Sequence, residues 1–226
     1  MTAPTKALTP FEASFKVEAL GFTLGKADHK LSCKNHHCEL TSHATPTGLA
    51  RRLIGEEGRE RVQLELKDDQ LSWLAYENKT LNIRNQEITD QTLVRLNMET
   101  QEIENQERNL TWPYTPTTFD PLSMAYALQH RIQHNQPLDA MLLQEERRQR
   151  PLAFELRGNA ALRTPFQSQL TTQHYVADSP EYMVSVWLAS ELNHFPVQVE
   201  IHDKKRRRSM RLSLLSRPNF DEENRP

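Results

Sequence analysis

Apolar and polar residues alternate with a period of two along most of this chain. The first clear segment covers residues 11–18, where the apolar positions are Phe11, Ala13, Phe15 and Val17. This alternation predicts strands with one buried and one solvated face, and the links between them are too short for parallel crossovers. We therefore predict a mainly β fold: a strongly curved antiparallel sheet or partly open barrel with two short helices.

The length and composition favour one domain. With 226 residues, 37% of them hydrophobic and 26% charged, the chain can bury a core and falls outside the disordered class. We predict a single β-rich domain over residues 10–216, a flexible segment at 1–9 and a polar flexible tail at 217–226. A net charge of −2 gives no overall attraction to nucleic acid, and no segment approaches the roughly 20 apolar residues of a membrane span.

Two segments interrupt the alternation with helical spacing. Residues 47–55 predict a short helix that ends at Gly55 and covers a sheet edge. A second helix is predicted to begin at Asp120 as the N-cap, with Pro121 in its first position. Its apolar stripe consists of Met124, Ala125, Leu128 and Ile132.

Two cysteines, Cys33 and Cys38, stand at facing ends of two strand-like segments and predict a disulfide across a hairpin. The alternative is a zinc site that uses the surrounding histidines, which are His29, His36, His37 and His43. The spacing is unusual for a zinc knuckle, and His29 and His43 are predicted to point to opposite faces. We therefore favour the disulfide and predict neither a metal nor another cofactor.

A disulfide implies an oxidising compartment. The N-terminus lacks the apolar stretch of a secretory signal, so we expect that an export signal has been removed and that Met1 is an expression start.

Four blocks in order resemble one family. They are FEASFKVEALGFTLGKADHKL (11–31), TGLARRL (47–53), FDPLSMAYAL (119–128) and VWLASELNHFPVQVEI (186–201). Together they are similar to the bacterial domain-of-unknown-function family 3108, over about residues 10–215. The resemblance implies an exported, periplasmic or envelope-associated β-rich protein and supplies no catalytic residue. Ser190 replaces an acidic residue of the family's WLADD-like turn, which weakens any paired-aspartate site there.

Several aromatic side chains are candidates for lining a ligand pocket: Phe15, Phe22, Trp73, Trp112, Tyr126, Phe154 and Trp187. Core packing explains each of them singly. Taken together they favour a pocket, because a long curved sheet has more concave area than one short helix covers.

A basic run is the densest charge feature: Lys204, Lys205, Arg206, Arg207, Arg208 and Arg211. Such a patch can bind phosphate, lipid headgroups or acidic polysaccharide. The simpler interpretation, which we favour, is a solvated hairpin turn joined to an edge strand that positive charge protects from aggregation.

No phosphate loop, dinucleotide fingerprint, zinc-protease motif or nucleophile elbow occurs in the sequence. Asp120 and Ser123 resemble an acid and a nucleophile, but helix capping explains both. We predict a non-enzymatic periplasmic protein that binds an apolar or amphipathic ligand, such as a lipid or lipid-linked glycan, or docks an envelope partner. The alternative is an envelope hydrolase or modifying enzyme whose site, for example Asp120, His174 and Glu191, is assembled only by the fold.

Overall fold

A computed structural model of the chain describes residues 8–221. The strands of this range are, in chain order, β1 (Phe11–Ala19), β2 (Phe22–Lys34), β3 (His37–Pro46), β4 (Glu56–Lys67), β5 (Gln70–Asn82), β6 (Ile88–Asn97), β7 (Glu102–Asn105), β8 (Leu110–Pro113), β9 (Thr118–Phe119), β10 (Met141–Gln144), β11 (Gln149–Leu152), β12 (Phe154–Thr164), β13 (Gln167–Asp178), β14 (Tyr182–Ala189), β15 (Phe195–Asp203), β16 (Arg208–Leu214) and β17 (Asn219–Phe220). The helices are α1 (Gly48–Ile54) and α2 (Met124–Gln133), and a 3-10 turn covers Ser190–Leu192.

One large antiparallel sheet of 14 strands dominates the molecule. Its strand order is β12-β13-β14-β15-β16-β1-β2-β3-β4-β5-β6-β7-β8, with β17 paired to β1. The last long strand therefore returns to the first, and β16 pairs with residues 15–19 of β1. Within residues 8–221, β12 and β8 are left as edges, so the sheet curls without closing. This confirms the predicted mainly β fold.

The sheet bends where extra residues interrupt its register. Bulges of this kind lie between Val17 and Glu18, Gln63 and Leu64, and Trp187 and Leu188. A bulge bends its strand and increases the local twist, which curls the sheet around a concave face. Gly25 allows a close approach of β2 and β3, because a Cβ atom there would collide with the Thr45 carbonyl oxygen.

The second predicted helix lies on the concave face. The Met124 N–H donates to the Asp120 carbonyl at 3.0 Å, and the Asp120 carboxylate accepts from the Leu122 and Ser123 N–H groups at 2.8 and 3.1 Å. The Asp120 carboxylate therefore caps the turn that leads into the helix. Regular helix starts only at Met124, with Ser123 as its N-cap, so the prediction that Pro121 takes the first helical position is wrong. All residues from Met124 to His130 are buried, so α2 fills much of the hollow of the sheet.

The first predicted helix has a different environment from the one we expected. It ends, as predicted, at Gly55, whose φ is 68°. The expectation that it covers a sheet edge is wrong, because α1 connects β3 and β4, which both lie inside the sheet. None of its 7 residues is buried.

Two further features of the sheet differ from the predictions. The basic run does not lead into an edge strand, because β16 lies between β15 and β1. The short strands from β7 to β11 were not predicted, since 2 to 4 residues are too few to show a period. Three of them form a small second sheet, β11-β10-β9, in which β9 and β10 are parallel.

The structure describes only part of the two predicted terminal segments. Leu8 and Thr9 are buried, and Leu8 belongs to the hydrophobic core. At the other end, β17 pairs with Phe11 and Glu12 of β1. Residues 1–7 and 222–226 lie outside the described range.

Candidate ligand-binding cavity

The second helix does not fill the whole concave face. Beside the first turn of α2, a cavity of about 180 Å³ remains between the helix and the sheet. Phe15 of the sheet and Leu122 and Ala125 of the helix region are among the residues that line it. Pro121 and Met210 also line it and are exposed, so the cavity opens to solvent there.

Three polar side chains enter this apolar lining from neighbouring strands. His29 of β2 is paired with Ser42 of β3, which is paired in turn with Glu60 of β4. They therefore form a row across the sheet, which we call the polar row. Each of the three residues occupies one of the alternate positions of its strand that face the core. Strand alternation therefore directs all three side chains to the concave face.

His29 connects the sheet to α2. Its Nδ1 atom is hydrogen-bonded to the Tyr126 hydroxyl at 2.8 Å, and its ring lies 4.7 Å from the Phe15 ring centre. Burial lowers the pKa of His29 to about 4, because desolvation disfavours the imidazolium form. The imidazole is therefore neutral at pH 7 and available for hydrogen bonding.

Glu60 places a carboxyl group in the wall of the cavity. The Tyr76 hydroxyl donates to its Oε1 atom at 2.6 Å. Burial raises the pKa of Glu60, although hydrogen bonds from Tyr76 and Ser42 favour the ionised form. This carboxyl group therefore holds a proton more readily than an exposed glutamate does.

Asp120 lies in the core at the start of the α2 segment. Its Oδ2 atom accepts a hydrogen bond from the Trp73 indole N–H at 2.9 Å and another from the Ser123 hydroxyl. Burial raises the pKa of Asp120 to about 6, with a smaller contribution from the charge of Glu60. Each neighbour orients the carboxyl group, so both Asp120 and Ser123 serve to anchor the helix.

The residues suggested for an enzyme site are not brought together. Asp120 is buried in the core, whereas Glu191 is exposed and pairs with Arg217. His174 stacks on Trp187 with ring centres 4.2 Å apart, and neither of these two side chains lines the cavity. Asp120, His174 and Glu191 therefore do not share a cleft.

The candidate pocket aromatics occupy different environments. Phe15 and Tyr126 line the cavity. Trp73 and Phe154 are buried in the core, and Trp112 and Trp187 are partly buried against it. Phe22 lies at the tip of the β1–β2 hairpin with its side chain 72% exposed.

The basic run forms the β15–β16 turn and the start of β16. Its ion pairs join Lys204 to Asp178, Lys205 to Glu181, Arg206 to Asp203 and Arg211 to Glu200. Arg207 and Arg208 are exposed and have no acidic partner among residues 8–221. The charge available to an external anion is therefore smaller than the sequence suggests.

The predicted disulfide is present, because Cys33 and Cys38 pair across the β2–β3 hairpin. His29 is buried and His43 is exposed, so these two histidines point to opposite faces as predicted. In the part of the chain that the structure describes, no three His, Cys, Asp or Glu side chains are grouped so that they could hold a metal ion.

The residues of the polar row are not among those that the sequence predicts for a pocket. The signal was nevertheless present, since His29, Ser42 and Glu60 each occupy a position where the strand pattern calls for an apolar residue. A polar residue in the buried phase of three adjacent strands indicates a shared polar site. Recognising it requires the pairing of the strands, which the sequence does not state.

Comparisons with known proteins bear on the fold. A crystal structure of a beta-barrel-like protein of domain of unknown function DUF1849 from Brucella abortus is similar, with a TM-score of 0.58 and 11% sequence identity, covering 96% of this chain and 99% of that one. A putative outer membrane lipoprotein-sorting protein domain from Vibrio parahaemolyticus has a TM-score of 0.26 and 9% identity, covering 96% of this chain and 87% of that one. Neither a family model nor a curated protein matches the sequence.

The chain thus shares its fold with a bacterial β-barrel-like domain of unknown function. At 11% sequence identity, the similarity to the first structure concerns the fold alone. The TM-score of the second structure is too low to support a shared fold. Membership of family 3108 stays a prediction. Among the helices of residues 8–221, none is both long and apolar enough to span a membrane.

Proposed function

We propose that this chain is a non-enzymatic protein of the bacterial envelope that binds the apolar part of a small amphipathic molecule, such as a lipid or lipid-linked glycan. The supporting observation is the open cavity between the sheet and α2, whose apolar lining carries the polar row on one wall. Ligand sites commonly combine an apolar pocket with a few convergent polar groups.

The size of the cavity restricts what enters it. Its volume of about 180 Å³ is close to that of an apolar cavity of roughly 150 Å³ that holds one benzene ring. A single ring or the end of an acyl chain fits, whereas the remainder of a larger molecule would lie outside, beside Pro121 and Met210. The neutral His29 and the Glu60 carboxyl group would orient a hydroxyl or amide of the ligand.

A periplasmic location agrees with the disulfide between Cys33 and Cys38, because such bonds persist in oxidising compartments. The resemblance to family 3108 supports the same compartment.

Decanoate is a suitable probe, because it combines a short acyl chain with one polar group. Its binding to the purified chain is measured by isothermal titration calorimetry. The variant Ala125→Leu adds three carbon atoms to the cavity lining, and we expect its affinity for decanoate to fall by roughly tenfold or more. Ala44→Leu narrows the cavity from the sheet and serves as a second variant if Ala125→Leu does not fold.

The matched control is Ala161→Leu, which makes the same change at an exposed position of β12 that does not line the cavity. It should bind decanoate like the original chain, and the heat capacity change should be negative because apolar surface is buried. If the original chain does not bind decanoate, or if folded Ala125→Leu binds it equally well, the proposal is wrong.

A further inference from the structure

Large apolar side chains are exposed at the end of the sheet where the cavity opens. We call them the rim patch: Leu20, Phe22, Leu49, Leu53, Ile54 and Met210. Single exposed apolar residues are ordinary on a protein surface. Here, however, the side chain of Leu53 is 86% exposed and that of Leu49 is 76% exposed, and both residues belong to the short helix α1.

The backbone brings the members of the rim patch together. Ala19 of β1 pairs with Phe22 of β2 on one side and with Met210 of β16 on the other. The Leu20 N–H donates to the Ser209 carbonyl at 3.3 Å, which joins the β1–β2 turn to the start of β16. The β1–β2 turn and β16 therefore form one continuous part of the rim.

The first helix is attached to the same rim. The Thr47 N–H donates to the Leu24 carbonyl at 3.0 Å, so α1 starts beside the beginning of β2. A groove next to Ile54 shares Val17 and Ala44 with the lining of the ligand-binding cavity. The rim patch therefore borders the cavity mouth.

Positive charge without acidic partners accompanies these side chains. Arg51 and Arg52 lie between the two leucines of α1, and Arg207 ends the β15–β16 turn while Arg208 begins β16, two residues before Met210. None of the four forms an ion pair within residues 8–221, whereas Lys204, Lys205 and Arg211 do. The rim thus combines exposed apolar side chains with unneutralised guanidinium groups.

We infer that the rim patch binds the surface of an anionic phospholipid bilayer. Apolar side chains next to arginine are the combination that holds a peripheral protein at a membrane interface, because the former enter the acyl boundary and the latter contact phosphate. In this orientation the cavity mouth faces the lipid. The inference depends on the rim alone, so it stands whether or not the cavity binds decanoate.

Sedimentation with vesicles tests the inference on the whole chain. One set of vesicles contains phosphatidylcholine only, and the other a three-to-one mixture of phosphatidylcholine and phosphatidylglycerol. We expect binding to the mixed vesicles that weakens with salt, and little binding to phosphatidylcholine alone. The variants Leu53→Ser and Arg51→Glu/Arg52→Glu should each weaken binding to the mixed vesicles, the charge reversal by roughly tenfold or more.

Two matched controls come from the opposite end of the sheet. Lys34→Glu/Lys67→Glu makes the same charge change beside the disulfide hairpin, and Met98→Ser removes an apolar side chain that is 62% exposed. Both controls should bind like the original chain.

Absence of binding to the mixed vesicles would overturn the inference. Equal losses in the rim variants and their controls would also overturn it. All these substitutions at the rim and its controls are at exposed positions, and unchanged melting temperatures confirm that the variants are folded.

Discussion

The two helices of this molecule carry similar apolar residues and place them in opposite environments. In α2 every residue from Met124 to His130 is buried against the concave face of the sheet, whereas α1 buries none of its residues. Leu128 of α2 is 0% exposed and Leu53 of α1 is 86% exposed. One helix therefore completes the core, while the other presents its leucines to the surroundings.

The contacts that attach the two helices to the rest of the fold also differ. Side chains hold α2, since Tyr126 is hydrogen-bonded to His29 and the Gln129 amide donates to the Asn193 carbonyl at 2.8 Å. Backbone bonds position the ends of α1, from the Thr47 N–H to the Leu24 carbonyl and from the Ile83 N–H to the Gly55 carbonyl. The position of α1 thus does not depend on its leucines, which leaves them available for an external contact.

Truncating one leucine in each helix measures this difference. Leu128→Ala removes buried methyl groups and leaves a cavity, so we expect the free energy of unfolding to fall by about 2–5 kcal/mol. Leu53→Ala removes atoms already in water, so we expect a change within about 0.5 kcal/mol. Urea unfolding of both variants provides the measurement.

Similar losses in the free energy of unfolding of Leu128→Ala and Leu53→Ala would contradict the proposed difference between the two helices. They would mean that α1 packs its leucines against the fold in solution, and the rim patch would then not be an exposed surface.

The sequence predicts the long strands and both helices, because each has a local signal. Alternation marks β1 to β6 and β12 to β16, Asp120 marks the turn that leads into α2, and Gly55 marks the end of α1. The sequence does not predict whether a helix is buried or exposed, because helical spacing shows only which residues share a face. The sequence therefore could not distinguish the burial of α2 from the exposure of α1.

The same limit applies to the candidate site. Phe15 and Tyr126 were candidate pocket residues and do line the cavity, yet Trp73 has the same aromatic character and is buried in the core. The polar row depends on the register of three strands. The return of β16 to β1 is a contact between residues distant in sequence, which no local pattern can specify.

Acidification should weaken the attachment of α2. The pKa of His29 is lowered by burial from 6.5 to about 4, so between these values the unfolded chain binds a proton that the folded chain does not. The contribution of His29 to stability is therefore lost as the pH falls from 6.5 to about 4, by roughly 3 kcal/mol. Thermal melts of His29→Gln and of the original chain across this range measure it.

We expect the acid-induced loss to be smaller in His29→Gln than in the original chain. It should not vanish, because burial also lowers the pKa of His130 in α2 to about 3, and that histidine acts in the same direction. Identical pH profiles for the two chains would show that His29 is not buried in a neutral form.

The start of the α2 segment should respond to pH with the opposite sign. Burial raises the pKa of Asp120 from 3.8 to about 6, so between these values the folded chain holds the additional proton and stability falls as the pH rises. The variant Asp120→Asn does not titrate in this range. Its amide N–H₂ group replaces one carboxylate oxygen and therefore faces a hydrogen-bond donor, which is either the Trp73 indole N–H or the backbone N–H groups. We expect a loss of about 1–3 kcal/mol near pH 4 that shrinks toward pH 7, measured by urea unfolding. A deficit that instead grew as the pH rose would mean that the ionised Asp120 is favoured in the fold, with its hydrogen bonds outweighing its burial.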